Sequence, residues 1–292
     1  MTTTALDTPP VATPRSARGT AWQRVALSLV FVEALLLYAP VVKWLFGRWT
    51  MSIWHNAHGL MIPPVVAYLA WQELKPLRRE PAAASAWGFA FLVPALMLHA
   101  IDAGMHTELL SAIALVMAMP GLSLLLLGTR RTRAITFPLA FLLFALPIPL
   151  GFTEQIHWQL RVLTTAVTSA IVPWLGIPVF VEGTTLHMAT GALQVADACS
   201  GFSTLYAALA VAFLTAYTAP GTGRKLLVLA SAAPLAVASN IVRVTMLVSL
   251  VVWKGEAILE TWVHPFSGIM TFALALPIIF WLGGDTSRKV AA

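Results

Sequence analysis

Long apolar runs, each nearly free of charge, recur along this sequence at 25–46, 57–74, 86–104, 109–127, 134–150, 199–219, 226–253 and 265–283. A helix needs about 20 mostly apolar residues to cross the hydrocarbon of a bilayer. Inside lipid an α-helix satisfies every backbone N–H and C=O by itself. Eight such runs predict an all-α fold, a polytopic integral membrane bundle of about eight transmembrane helices. Composition agrees: 59% of the 292 residues are hydrophobic and 10% charged, where a soluble domain carries about a quarter charged.

A ninth stretch, 156–176, is ambiguous, because it holds His157, Gln159 and Arg161 and a middle rich in Thr and Ser before Pro173. The distribution of basic residues decides its status, since Lys and Arg collect on the cytoplasmic side. If 156–176 does not cross, both termini are cytoplasmic. The cytoplasmic segments then hold Arg15, Arg18, Arg24, Lys75, Arg78, Arg79, Arg130, Arg131, Arg133, Arg224, Lys225, Arg288 and Lys289, thirteen of the 18 Lys and Arg. If it crosses, the last two clusters move outside and nine remain. The stretch is therefore expected as a re-entrant or interfacial helix. Residues 1–24, rich in Thr, Pro and Ala, are expected as a disordered cytoplasmic tail, 25–284 as the transmembrane domain and 285–292 as a cytoplasmic tail. The run from Val25 to Val42 lacks a small-x-small cleavage site and reads as a retained helix rather than a signal peptide.

With this topology all seven histidines (His55, His58, His99, His106, His157, His187 and His264) fall on the extracytoplasmic side. So do Asp102, Glu108, Glu154, Glu182, Asp197, Glu256 and Glu260. Scattered acids are ordinary loop solvation, but a one-sided set of histidines points to chemistry at that face. The net charge of +6 comes with no nucleic-acid-binding motif, so nucleic acid is not an expected partner. The sequence has no Gly-rich phosphate loop, no His-Glu-x-x-His and no Gly-x-Ser-x-Gly. A single cysteine excludes an internal disulfide framework and a multi-cysteine metal site, and no metal or cofactor is expected.

That cysteine, Cys199, stands in Val195-Ala196-Asp197-Ala198-Cys199-Ser200-Gly201-Phe202, where a polar loop turns into an apolar helix. In an apolar protein a lone cysteine is commonly a small core side chain. At a helix N-terminus, however, free N–H groups and the dipole favour the nucleophilic thiolate and suit an oxyanion. Arg243 is the strong charge deep in the run 226–253, with Asn240 three residues earlier on the same face. A guanidinium in hydrocarbon costs at least about 2.5 kcal/mol, so such a residue is functional by default, the alternative being a snorkelling arginine. His264 precedes Pro265 at the external start of the last run. A lone interfacial histidine is often simply solvated. Together, a thiol, an imidazole and a fixed cation on three consecutive helices at one membrane face are the parts for acyl transfer. Of the other polar outer residues, His58 and Asn240 orient the site or make structural hydrogen bonds. Glu182 and Asp197 meet a basic substrate group or are solvated loop acids.

At these residues the sequence resembles the exosortase/archaeosortase family of membrane transpeptidases over most of its length. Ala57-His58-Gly59-Leu60-Met61-Ile62-Pro63 resembles the family's first-loop motif, and Phe137-Pro138-Leu139 with Leu146-Pro147-Ile148-Pro149 its central helix. Gly176-Ile177-Pro178-Val179 is similar to the segment leading to the family's cysteine. Val195 to Gly201 resembles its Val-Ala-Glu-Ala-Cys-Ser-Gly, while Asn240-x-x-Arg243-Val244 and His264-x-x-x-Gly268 resemble its remaining two motifs. Asp197 replaces the usual Glu, and Asn56-Ala57 replaces the usual polar residue before His58. The resemblance implies a Cys199–Arg243–His264 active site, with Ser200 and Gly201 beside it, on the periplasmic face of a bacterial inner membrane. Its implied partners are exported proteins ending in a short signal, often Pro-Glu-Pro, then a transmembrane helix and a basic tail. It further implies a polysaccharide or other surface acceptor, and the lipid bilayer as surroundings. The rival functions are a transporter or channel for a polar or anionic solute using Arg243, and a structural export factor.

Overall fold

A computed structural model of the chain describes residues 17–50, 57–80, 83–196 and 200–284. Helix α1 (Ala17–Thr50) begins within the stretch expected as a tail and runs unbroken through Pro40. A 3-10 turn (Ala57–Met61) leads to α2 (Ile62–Leu74), whose Pro63 and Pro64 stand at its first positions, where no hydrogen bond is lost. α3 (Phe89–Met105) and α4 (Leu109–Leu127) form an antiparallel pair. Buried Asp102 closes their turn by accepting the backbone N–H groups of Thr107 (3.2 Å) and Ser111 (2.9 Å).

The run 134–150, expected as a single crossing, is broken. It comprises the end of α5 (Thr129–Ala134), α6 (Thr136–Phe141), a 3-10 turn (Leu142–Ala145) and a non-helical Leu146–Pro149. The two prolines are the cause, since a residue before proline is pushed out of the helical region, and Leu146 has ψ 133°. α7 (Leu150–Ile171) follows and ends in a 3-10 turn (Val172–Leu175). Four helices among the described residues are long and apolar enough to cross a membrane: Ala86–Met105, Leu109–Leu127, Thr222–Lys254 and Phe266–Gly283.

One feature departs from a purely helical fold. β1 (Phe180–Glu182), β2 (Thr185–Met188) and β3 (Gly191–Gln194) form an antiparallel sheet in that order, with Val181 opposite Leu186 and Leu186 opposite Leu193. The two-residue connection Gly183-Thr184 makes the first hairpin possible, Gly183 taking the positive φ (61°) such turns require. Leu186, Leu193 and Val195 are buried against Val244, Leu247 and Val248, which anchors the sheet on the next long helix. β3 ends at Gln194, five residues before Cys199 in the sequence.

The C-terminal part is a three-helix unit of α8 (Phe202–Thr218), α9 (Thr222–Lys254) and α10 (Val263–Gly283). Ala208, Ala212 and Ala216 on α8 recur every fourth residue and pack with Val228, Ala232 and Ala236 on α9. Without a hydrophobic driving force in lipid, small residues at this spacing let helix backbones close together and gain van der Waals contact. The next turns up this hairpin are the start of α8 and Asn240 of α9.

Candidate active site

The start of α8 is pressed against α9 at one point. Gly201 has φ +83°, a left-handed conformation that glycine adopts freely. A Cβ built there would lie 2.6 Å from the Asn240 Cγ. Gly201 thus meets both a backbone and a packing requirement. Asn240 is buried and donates from Nδ2 to the Thr164 hydroxyl on α7 at 3.2 Å. Ser200, 1% exposed, places its Oγ 3.0 Å from the His157 Nδ1 and accepts the Phe202 N–H at 3.3 Å. The Ser200-Gly201 pair is therefore held from α7 on one side and α9 on the other.

One turn above Asn240, Arg243 is 5% exposed. Its Nε donates to the Ser267 Oγ of α10 at 2.7 Å, a charge-assisted bond, and Ser267 is itself fully buried. The Ser267 carbonyl accepts the Thr271 hydroxyl at 2.9 Å. Arg243 follows Arg224, in the first turn of α9, by 19 residues, about 28 Å along the axis at 1.5 Å per residue. That is close to the thickness of a bilayer's hydrocarbon core. Position 264 lies in the first turn of α10, three residues before Ser267 and so on the same helical face. Cys199 and Asp197 lie outside the described residues, as does the side chain of His264.

The other expected site residues are placed elsewhere. His58 sits in the turn before α2, its ring hydrogen-bonded to the Phe144 backbone and edge-on to Tyr206, 4.9 Å between centroids. Tyr206 is one turn along α8 from Phe202, and their rings are parallel with centroids 6.3 Å apart. His58 thus supports the second turn of α8. Glu182 is an exposed sheet residue that pairs with His187 Nε2 at 3.3 Å, at the far edge strand from β3.

The residues not singled out from sequence are His157, Thr164 and Ser267. α7 carries the first two on an inverted pattern, and α10 the third. The buried Thr153, Thr164, Thr165 and Thr168 of α7 are polar, whereas its exposed Ile156, Trp158, Val162, Leu163 and Ile171 are apolar. The signal was available as polar residues at three- and four-residue spacing (153, 157, 161, 164, 168) within an apolar context. Both ends of α7 meet the half of the α8–α9 hairpin away from its connection. Just before α7, Leu143 and Leu146 offer carbonyls to the Tyr206 hydroxyl at 3.3 and 3.5 Å, and just after it Val172 packs on Val244, Leu247 and Val248.

This is a helical membrane protein with a buried polar centre, in which the Arg243 guanidinium and several hydroxyls gather where α7, α8, α9 and α10 meet. A centre of this kind carries a cost in an apolar surround that packing alone does not repay. The family model for transmembrane exosortases matches residues 49–281, most of the chain and all of this centre, and the protein belongs to that family. Comparison with curated proteins and with solved structures gives no match.

Proposed function

We propose that the protein is a membrane-embedded cysteine transpeptidase or protease that cleaves the C-terminal sorting signals of exported proteins. The observation that carries this reading is the linkage of three helices around Arg243. Gly201, two residues after Cys199, is packed against Asn240, and Arg243 bonds the turn of α10 that follows position 264. In the proposed step, His264 takes the proton of the Cys199 thiol and sulfur attacks a peptide carbonyl carbon. The oxyanion forms facing the Arg243 guanidinium and the N-terminal end of α8. Collapse breaks the C–N bond, the leaving amine takes the proton from His264, and a thioester remains on Cys199. Water or a surface nucleophile then releases the new C-terminus.

Eight crossings, cytoplasmic termini and a periplasmic site in a bacterial inner membrane complete the proposal. Two features support that arrangement: the placement of Arg243 about one hydrocarbon thickness from Arg224, and the return of α7 to the half of the hairpin from which it starts. Its polar face turned inward suits a helix lying at the outer boundary.

The test is processing of an exported protein bearing a short motif, a transmembrane helix and a basic tail. Cys199→Ala abolishes cleavage. Arg243→Met lowers it at least about a hundredfold, the scale of a lost oxyanion donor. Full cleavage by Cys199→Ala rejects the proposal. Unchanged cleavage by Arg243→Met rejects the role given to the guanidinium.

A further inference from the structure

α7 is built to present polar groups inward, and one of them reaches the residue joined to Cys199. His157 makes two contacts with the start of α8: Nδ1 lies 3.0 Å from the Ser200 Oγ, and the ring packs on Phe202 with centroids 4.4 Å apart. Two contacts on separate atoms fix both the position and the tilt of the imidazole. The Ser200 hydroxyl in turn accepts the Phe202 N–H, so one oxygen ties α7 to the first N–H of α8. On the other side, Gly201 rests on Asn240, which Thr164 of α7 also holds.

We propose that His157 is a positioning residue of the active site: through Ser200 it holds the chain next to Cys199 in register with the N-terminal end of α8. Its partner chemistry is a hydrogen bond at the Nδ1 position together with a flat ring on Phe202. Asparagine carries a polar atom at nearly the same distance from the backbone as His Nδ1, whereas leucine supplies bulk without the bond.

The reading of Cys199 as nucleophile underlies the consequence for processing, but not the experiment. Cys199 is the sole cysteine of the chain, so its alkylation rate by iodoacetamide reports on that site in the full protein in native membranes, with no substrate needed. A thiol held at a helix N-terminus is activated. His157→Leu and Ser200→Ala each slow alkylation about tenfold, and the double variant is no slower than either single one, as expected when both remove the same interaction. His157→Asn restores the rate to within about twofold, which a merely space-filling histidine would not allow.

An unchanged rate in His157→Leu, additive effects in the double variant, or no restoration by His157→Asn in a protein that melts like the wild type each overturns the inference. Where His157→Leu does not fold, Ser200→Ala decides: an unchanged alkylation rate overturns the inference and a slowed one supports it. Persistent processing by Cys199→Ala would sink the transpeptidase reading while leaving the His157–Ser200 coupling intact.

Discussion

At the residue scale the centre depends on contacts with no slack. The Gly201 α-carbon sits so close to Asn240 that an added methyl finds the side-chain carbons and amide nitrogen within 2.8 Å. A left-handed backbone costs a residue with a Cβ about 1–2 kcal/mol before any clash. Gly201→Ala is therefore expected to destabilise the protein by at least about 2 kcal/mol, read as a lower thermal midpoint in detergent. An unchanged midpoint would mean that the turn has room the contact distances deny it. Serine or asparagine at this position meets the same wall. Arg243 illustrates a different logic: a buried guanidinium is costly in an apolar surround, and its bond to Ser267 meets part of its hydrogen-bonding need while tying α9 to α10.

At the scale of elements, the long crossings were readable because each is a continuous apolar run. The four helices that qualify as spans overlap runs named from sequence alone. Two kinds of element escaped that reading. Leu146-Pro147-Ile148-Pro149 is apolar enough to pass as helix, but proline chemistry ends the helix at Ala145. The sheet escaped because strands of three or four residues have no apolar length to find, although Gly183-Thr184 marks its turn. α7 is the instructive case: its polar residues left a crossing open, the placement of Lys and Arg argued against one, and the spacing of those polar residues held the further information that they share one face. If α7 lies at the outer boundary, both its ends open to the same side. Gln155→Cys and Trp174→Cys, each in a Cys199→Ser background, should then react alike with an impermeant maleimide added from the periplasmic side. Both positions are exposed. Labelling of one from outside and the other only after the inner face is opened would show that α7 crosses.

At the scale of the whole molecule, helix packing supplies what no local motif does. The alanine spacing on α8 and α9 sets the register that brings Gly201 to Asn240, and α10 joins through the bond from Arg243 to Ser267. The convergence of α8, α9 and α10 was inferred from charge placement. The participation of Thr164, Ser267 and His157 was not, because each is common in helices and acquires meaning only from its neighbour across an interface. The expectations for Cys199, Asp197 and the His264 side chain fall outside the described residues, so chemistry must decide them. The most direct measurement is mass-spectrometric capture of the covalent intermediate when the protein is incubated with a sorting-signal substrate and quenched in acid. The expected product is a hydroxylamine-labile adduct on Cys199 carrying the substrate up to its cleavage site, lost in Cys199→Ser. Cleaved substrate with no adduct at Cys199, together with undiminished cleavage by Cys199→Ser, would contradict a cysteine transpeptidase built around Arg243.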